Sequence, residues 1–222
     1  MSIEVLYEDS SIIVIFKPAG LATQTANVLQ PDCVSLIKEH IRKNSPDIKT
    51  EPYVGIIHRL DQPVAGILVF AKDKRSAASL SRQVQNGIMN KHYLAMVEGT
   101  LDVPEETELT DRMYKDGRAG RSVIADTAPA GIALSEARLM YRTQKILGSD
   151  NRTVLSIRLI TGRFHQIRAQ LSHLGHPIVG DRKYGAQTTF PKGIALVADR
   201  LEFTHPATGE KVEKVVDFSF GL

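Results

Sequence analysis

Apolar positions along this chain recur mostly at intervals of two, interrupted by three stretches at helical spacing. Residues 3–7 and 12–17 read as short strands divided by the turn residues 8–11, and Pro18 and Gly20 end the second strand. Leu36, Ile37 and Ile41 give 35–43 a helical period, with Asp32 placed as N-cap. The polar stretch 44–52, which contains two prolines, reads as a loop. The run 67–71 is wholly apolar and bounded by turn residues, as in a buried core strand. Asp73 then caps a helix over 74–86, with Ala77, Leu80 and Val84 on one face and Gly87 at its end. Residues 91–98 alternate, placing Tyr93, Ala95 and Val97 on one side and His92, Leu94 and Met96 on the other.

Further along, 101–130 is rich in turn formers and charge. Asp116-Gly117 and Ala119-Gly120 mark a hairpin tip there, and this segment is expected to be the most mobile part of the chain. Residues 133–146 and 152–160 read as a long hairpin turned at Gly148-Ser149-Asp150. Ile167, Leu171 and Leu174 predict a short helix over 166–174 that Gly175 ends. Residues 195–203 and 211–218 form a last hairpin across 205–210. No internal repeat, low-complexity tract or linker divides the chain. The pattern predicts an α/β (α+β) protein built on a mixed, mostly antiparallel sheet with short flanking helices.

Length and composition narrow the class. A chain of 222 residues forms one large domain or two closely joined lobes. Its 42% hydrophobic and 24% charged content is that of a soluble globular protein, and no segment is apolar for long enough to span a bilayer. The first ten residues lack the layout of a secretory signal. Cys33 is the only cysteine, which excludes an intrachain disulfide and a thiolate zinc cluster and makes the reducing cytosol the expected compartment. A net charge of +3 leans towards polyanionic partners. Lys72, Lys74 and Arg75 cluster after the central strand, and Arg112, Lys115, Arg118 and Arg121 surround the hairpin tip, although such runs are most often solvated faces.

Several chemistries lose support. There is no GxxxxGK[ST] phosphate loop, no GxGxxG fingerprint and no HExxH pair, and the seven histidines do not fall at metal-ligand spacing. His58, His165, His173 and His176 read first as hydrogen-bonding structural groups. No metal and no cofactor is expected. What remains centres on HRLDQPVAGILVFAK, residues 58–72, where Asp61 stands at the mouth of the buried strand and is the candidate reacting group. Arg168 adjoins the apolar stripe of the last helix and therefore needs a carboxylate or phosphate, for which Asp61 is the candidate. Tyr93 is open to a core reading as well as a functional one. Lys17, beside a Pro-x-Gly turn, is either a surface residue or the positive wall of a cleft, and pattern alone favours the surface. A retaining glycosidase would need a second carboxyl group. A single carboxylate suits an isomerisation whose broken bond is remade in the same site.

The stretch HRLDQPVAGILVFAK resembles the catalytic motif of the RluA family of RNA pseudouridine synthases. Supporting elements follow in order: Lys17-Pro18-Ala19-Gly20, then Lys91-His92-Tyr93-Leu94-Ala95, then Gly162-Arg163-Phe164-His165-Gln166-Ile167-Arg168, and finally His176-Pro177 and Gly180-Asp181. The resemblance implies a mostly antiparallel sheet of the pseudouridine synthase type with a central cleft, and a single catalytic domain over 1–222. It implies that Asp61 is the essential carboxylate, that Tyr93 stacks on the target base and handles its proton, and that Arg168 pairs with Asp61. Arg59 would enter the space left by the flipped uridine, His58 would hold the motif and Lys17 would line the cleft. Arg163, Arg118 and Arg121 complete the expected RNA contacts, with the hairpin tip 112–121 as a clamp.

The implied partner is a stem-loop of ribosomal or transfer RNA, with no DNA and no membrane. A cytoplasmic monomer is expected, since nothing points to an obligate assembly. The chain departs from the family pattern in two places. Val64-Ala65 stand where Thr-Ser is more frequent, and Phe164 stands where a small polar residue is frequent. No RNA-binding module of the S4 type is visible ahead of the first strand, so substrate choice is expected to come from the catalytic region. The alternative reading is a non-catalytic RNA-binding protein that keeps the fold, and a further one is a nucleoside hydrolase that releases free uracil.

Overall fold

Eleven strands and three helices follow one another among the residues that the computed structural model describes, 3–27, 29–45 and 50–221. Positions 46–49 of the loop expected over 44–52 lie outside the described residues. In chain order the elements are β1 (Glu4–Glu8), β2 (Ile12–Lys17), α1 (Cys33–Asn44), β3 (Gly55–Ile56), β4 (Ala65–Ala71), α2 (Lys74–Gln85), β5 (Asn90–Glu98), β6 (Thr107–Asp116), β7 (Arg121–Ile124), β8 (Ser135–Leu147), β9 (Arg152–Leu159), α3 (Gln166–His173), β10 (Leu196–Thr204) and β11 (Lys211–Val215). The chain divides into two compact units, Met1–Asn90 with Ala198–Asp217, and Lys91–Val197 with Phe218–Leu222.

In the first unit β4 lies between β2 and β10, and its seven residues are all buried. That position explains its unbroken apolar run, because a strand flanked on both sides and covered on both faces has no polar side to present. The antiparallel register runs from Ile12 opposite Ala71 to Lys17 opposite Gly66. The end of β2 and the start of β4 therefore share one edge of the sheet. Gly66 could not be another residue without cost: its φ is +137°, and a Cβ there would sit 2.5 Å from the backbone of Ala198. One face of the sheet packs Ile12, Val14, Ile67 and Val69 against Leu80 of α2. Both longer helices begin as their caps predict, with Asp32 accepting from Ser35 N at 2.7 Å and Asp73 accepting from Ser76 N at 2.8 Å.

The second unit is an antiparallel sheet in the order β5-β9-β8-β6-β7. Here the hairpin tip expected within 101–130 is present. Much of that segment is strand, and the predicted tip at 117–120 is the short turn between β6 and β7. Its high charge reflects one-sided burial: Met113 is buried with Ala137, Ala169 and Tyr184, while alternate residues face water. Helix α3 covers the same face through two buried amides. Gln166 Nε2 donates to Arg138 O at 3.0 Å, and Gln170 Nε2 donates to Asp111 Oδ2 at 2.9 Å. Satisfied networks of this kind fix a helix in one position.

Candidate active site

The shared edge of β2 and β4 brings two loops of the first unit together, 17–23 and 58–64. Gly20 N donates to Gln62 O at 2.8 Å, and Gln62 Nε2 returns a bond to Gly20 O at 3.0 Å. Thr23 Oγ1 donates to Leu60 O at 3.0 Å and accepts from Leu60 N at 3.2 Å. Asp61 therefore sits between two clamped residues, Leu60 and Gln62. Its own carbonyl accepts from Val64 N at 3.0 Å, closing the turn into β4. His58 accepts from Val69 N at 3.4 Å through Nε2, which anchors the motif to the strand it precedes. Arg59 is exposed and Asp61 half-buried.

Lys17 differs from the surface residue its pattern favoured. It is 0% exposed, and its ammonium donates to Pro18 O, Leu21 O and Gln62 O at 3.1, 2.6 and 3.2 Å. The register opposite Gly66 draws it under the loops rather than out to water. Burial pushes its pKa down to about 8, against the pull of Cys33 and Asp61. At neutral pH it keeps its charge, which suits three carbonyl acceptors. With no surface of its own, Lys17 acts as a post beneath the Asp61 loop rather than as a direct contact for a macromolecule. Cys33 is also buried, with its thiol pushed up to about 12, and so is unsuited to nucleophilic work.

In the second unit Tyr93 lies on β5 opposite Ile157 and is 6% exposed. Lys91 is two residues earlier on the same face of the strand, with its pKa lowered by burial. Arg168 is 5% exposed on α3 and has the carboxylate partner its position demanded. Asp181, 1% exposed, accepts from Nε at 2.6 Å and from Nη2 at 2.9 Å. This is a bidentate pair, and the guanidinium also stands 5.0 Å from the centre of the Tyr184 ring. Sequence reasoning missed Asp181 as a partner although Gly180-Asp181 was among the matching motifs. Arg163 is exposed just ahead of α3, with Nε donating to Glu136 O at 3.0 Å. Arg118 and Arg121 are exposed at the hairpin tip.

The predicted residues thus fall into two groups. His58, Arg59, Asp61 and Lys17 are held together in the first unit, and Tyr93, Arg168, Arg163, Arg118 and Arg121 belong to the second. Thr23, Gln62 and Asp181 were not singled out, since each acts through a partner distant in sequence. Among the described residues no group of His, Cys, Asp and Glu is arranged to hold a metal ion, and no helix is long and apolar enough to cross a membrane.

The family model described as RNA pseudouridylate synthase matches residues 11–173, a span that contains Asp61, Tyr93 and Arg168. The chain belongs to the RNA pseudouridylate synthase family. Among members of this family it is 33% identical to the ribosomal large subunit pseudouridine synthase D of Nitrosomonas europaea, over 94% of this chain and 60% of that protein. It is 32% identical to the tRNA pseudouridine synthase C of Pasteurella multocida, over 96% of this chain and 90% of that one. It spans about three-fifths of the length of these ribosomal synthases. The solved structure of human RNA pseudouridylate synthase domain containing 4 superposes with a TM-score of 0.74 at 21% identity, covering 97% of this chain and 88% of that one. That likeness shows a shared synthase fold.

Proposed function

We propose that this protein isomerises uridine in RNA to pseudouridine, with Asp61 as the essential carboxylate. The observation that carries the proposal is the grip on Asp61: its neighbours on either side are fastened by Thr23, Gly20 and buried Lys17, while its side chain reaches the surface of its unit. A scaffold that fixes the main chain on both sides of one carboxylate is pre-organised for chemistry at that group. Family membership supplies the reaction.

In the reaction the C1′–N1 bond breaks, the detached uracil turns, and C1′ bonds to C5. C5 loses a proton and N1 gains one, so the change is redox-neutral and calls for no cofactor. Asp61 either attacks the nucleoside or removes a sugar proton. Tyr93 stacks on the flipped base and handles its proton, which returns ~1–3 kcal/mol of stacking against a few kcal/mol of flipping cost. Arg168 acts as the charge partner of Asp61 and is held in orientation by Asp181. Arg59 fills the space the uridine leaves, and its exposure supports that role. Arg163, Arg118 and Arg121 contact the RNA backbone.

The substrate is a stem-loop of ribosomal or transfer RNA, the two classes named among the relatives. The chain acts as a single catalytic domain, as a cytoplasmic monomer without a cofactor. Pseudouridine mapping of total RNA from cells with and without the gene tests the proposal. One or more sites should disappear with the gene and return with the parental protein but not with Asp61→Asn. An unchanged map would reject the proposed activity.

A further inference from the structure

Phe164 departs from the family pattern, and the second unit treats it in an unusual way. It is a large hydrophobic side chain left 40% exposed. A single exposed apolar residue needs no explanation by itself, yet this one is held from several sides. Its carbonyl accepts from Ser122 Oγ on β7. Its ring stacks on the imidazole of His165, with centroids 3.8 Å apart and planes inclined by 21°.

His165 has a φ of +52°, a left-handed conformation that a residue with a Cβ adopts only when its surroundings impose it. One constraint on it is a hydrogen-bond chain. Ser122 N donates to Tyr184 Oη at 2.7 Å, and the same hydroxyl is hydrogen-bonded to His165 Nδ1 at 3.0 Å. Ser122 and Tyr184 are both buried. The His165 ring is thus tied to buried Tyr184, and Phe164 is seated upon it.

The surroundings are cationic. Lys115 pairs with Ser122 across the β6–β7 hairpin and holds its ammonium 4.7 Å from the centre of the Phe164 ring. Arg163 is the preceding residue, Arg121 is one pair further along the hairpin, and Lys183 Nζ donates to Gly120 O at 3.2 Å. An oriented aromatic ring bordered by cations matches the alternation of base and phosphate in a single strand. An exposed cation–π contact is the weaker interaction, so a base can displace Lys115 and leave its ammonium for the adjoining phosphate.

We propose that Phe164, backed by His165, is a stacking platform for an unpaired base of the RNA substrate, with Lys115 as the neighbouring phosphate contact. The proposal rests on the reading of this protein as an RNA-modifying enzyme and assigns it a single-stranded subsite in its second unit. It makes Phe164 a determinant of substrate choice that a small polar residue at this position could not supply.

The chain contains no tryptophan, so Phe164→Trp creates a single fluorescent reporter at the platform. Titration with a short oligouridine should quench its emission saturably, while a blunt RNA duplex of equal length leaves the emission unchanged. Phe164→Ala and Phe164→Leu should each weaken oligouridine binding about tenfold (~1.4 kcal/mol). In turnover of a full RNA substrate their loss should fall on KM. Leucine matters because it retains apolar bulk without a ring. Labelled oligouridine that binds the Trp variant by anisotropy without changing its emission overturns the platform, as does equal binding by the Phe164→Ala variant. A Trp variant whose emission is quenched by oligouridine, beside a parental protein that binds oligouridine but converts no uridine in RNA, would reject the proposed activity and leave the platform standing.

Discussion

The Asp61 loop and the Arg168 helix are secured by opposite means. Around Asp61 the first unit grips main chain: the carbonyls of residues 60 and 62 and the amide of residue 60 are tied to Thr23, Gly20 and Lys17, and Asp61 stays half-buried. Around Arg168 the second unit grips the side chain itself, inside a buried bidentate pair. The backbone contacts on either side of Asp61 survive an isosteric change of its side chain, whereas a side chain that is itself the buried contact cannot be replaced without losing it. Chemistry and stability should therefore separate at Asp61 and travel together at Arg168.

The largest expected effect tests the first half of that contrast. Asp61→Asn should lower kcat by on the order of 10^4 or more, with unfolding free energy within about 0.5 kcal/mol of the parent. Denaturant melts beside single-turnover assays measure both, and a large stability loss would show that the Asp61 side chain is itself structural. Next in size, Arg168→Ala should cost about 3–5 kcal/mol, since it strands the buried Asp181 carboxylate. The double variant Arg168→Met with Asp181→Leu should recover much of that stability while remaining inactive. Recovery of activity along with stability would remove Arg168 from the site and leave it a purely structural residue.

Lys17 occupies the middle ground, a side chain that holds backbone. Lys17→Met takes the ammonium away from three carbonyls, of which Gln62 O keeps its bond from Gly20 N, and should cost about 2 kcal/mol, with a loss of kcat but no effect on RNA affinity. The pH dependence has a defined sign. The folded pKa of about 8 lies below the ordinary lysine value, so between the two the unfolded chain holds a proton that the folded one has released. The contribution of Lys17 to stability rises as pH increases from about 8 to about 10.4, by up to about 3 kcal/mol. Below about 8 both states hold the proton, and the contribution no longer changes with pH. Parallel denaturation of parent and Lys17→Met across this range isolates the slope, which the variant should lack. Smallest of all, Thr23→Val should lose about 1 kcal/mol and activity only mildly, because one of several clamps on Leu60 and Gln62 is removed.

Much of this arrangement was legible beforehand, and for identifiable reasons. The helix caps Asp32 and Asp73, the hairpin turns at 148–150 and 205–210 and the core strand after Asp61 all follow from interactions within a few residues. Asp61 itself stood out because a lone carboxylate ahead of an apolar strand has few ordinary explanations. Arg168 could be recognised as needing an anion because its helix period placed it beside buried leucine and isoleucine. In segment 101–130 only the hairpin tip was legible, because its strands are covered on one face only and charge and turn residues outweigh their alternation.

Sequence alone determined which residues were candidates for chemistry and which segments would be strand or helix, since local hydrogen bonding and periodicity depend on near neighbours. Only the tertiary structure decided what each candidate touches. The antiparallel register of β2 and β4 turned Lys17 from a surface residue into a buried post under the Asp61 loop. Packing of α3 on β6, β7 and β8 gave Arg168 to Asp181 and set Phe164 on His165. Such partners lie far apart along the chain, and their meeting depends on register and burial, which no local pattern encodes.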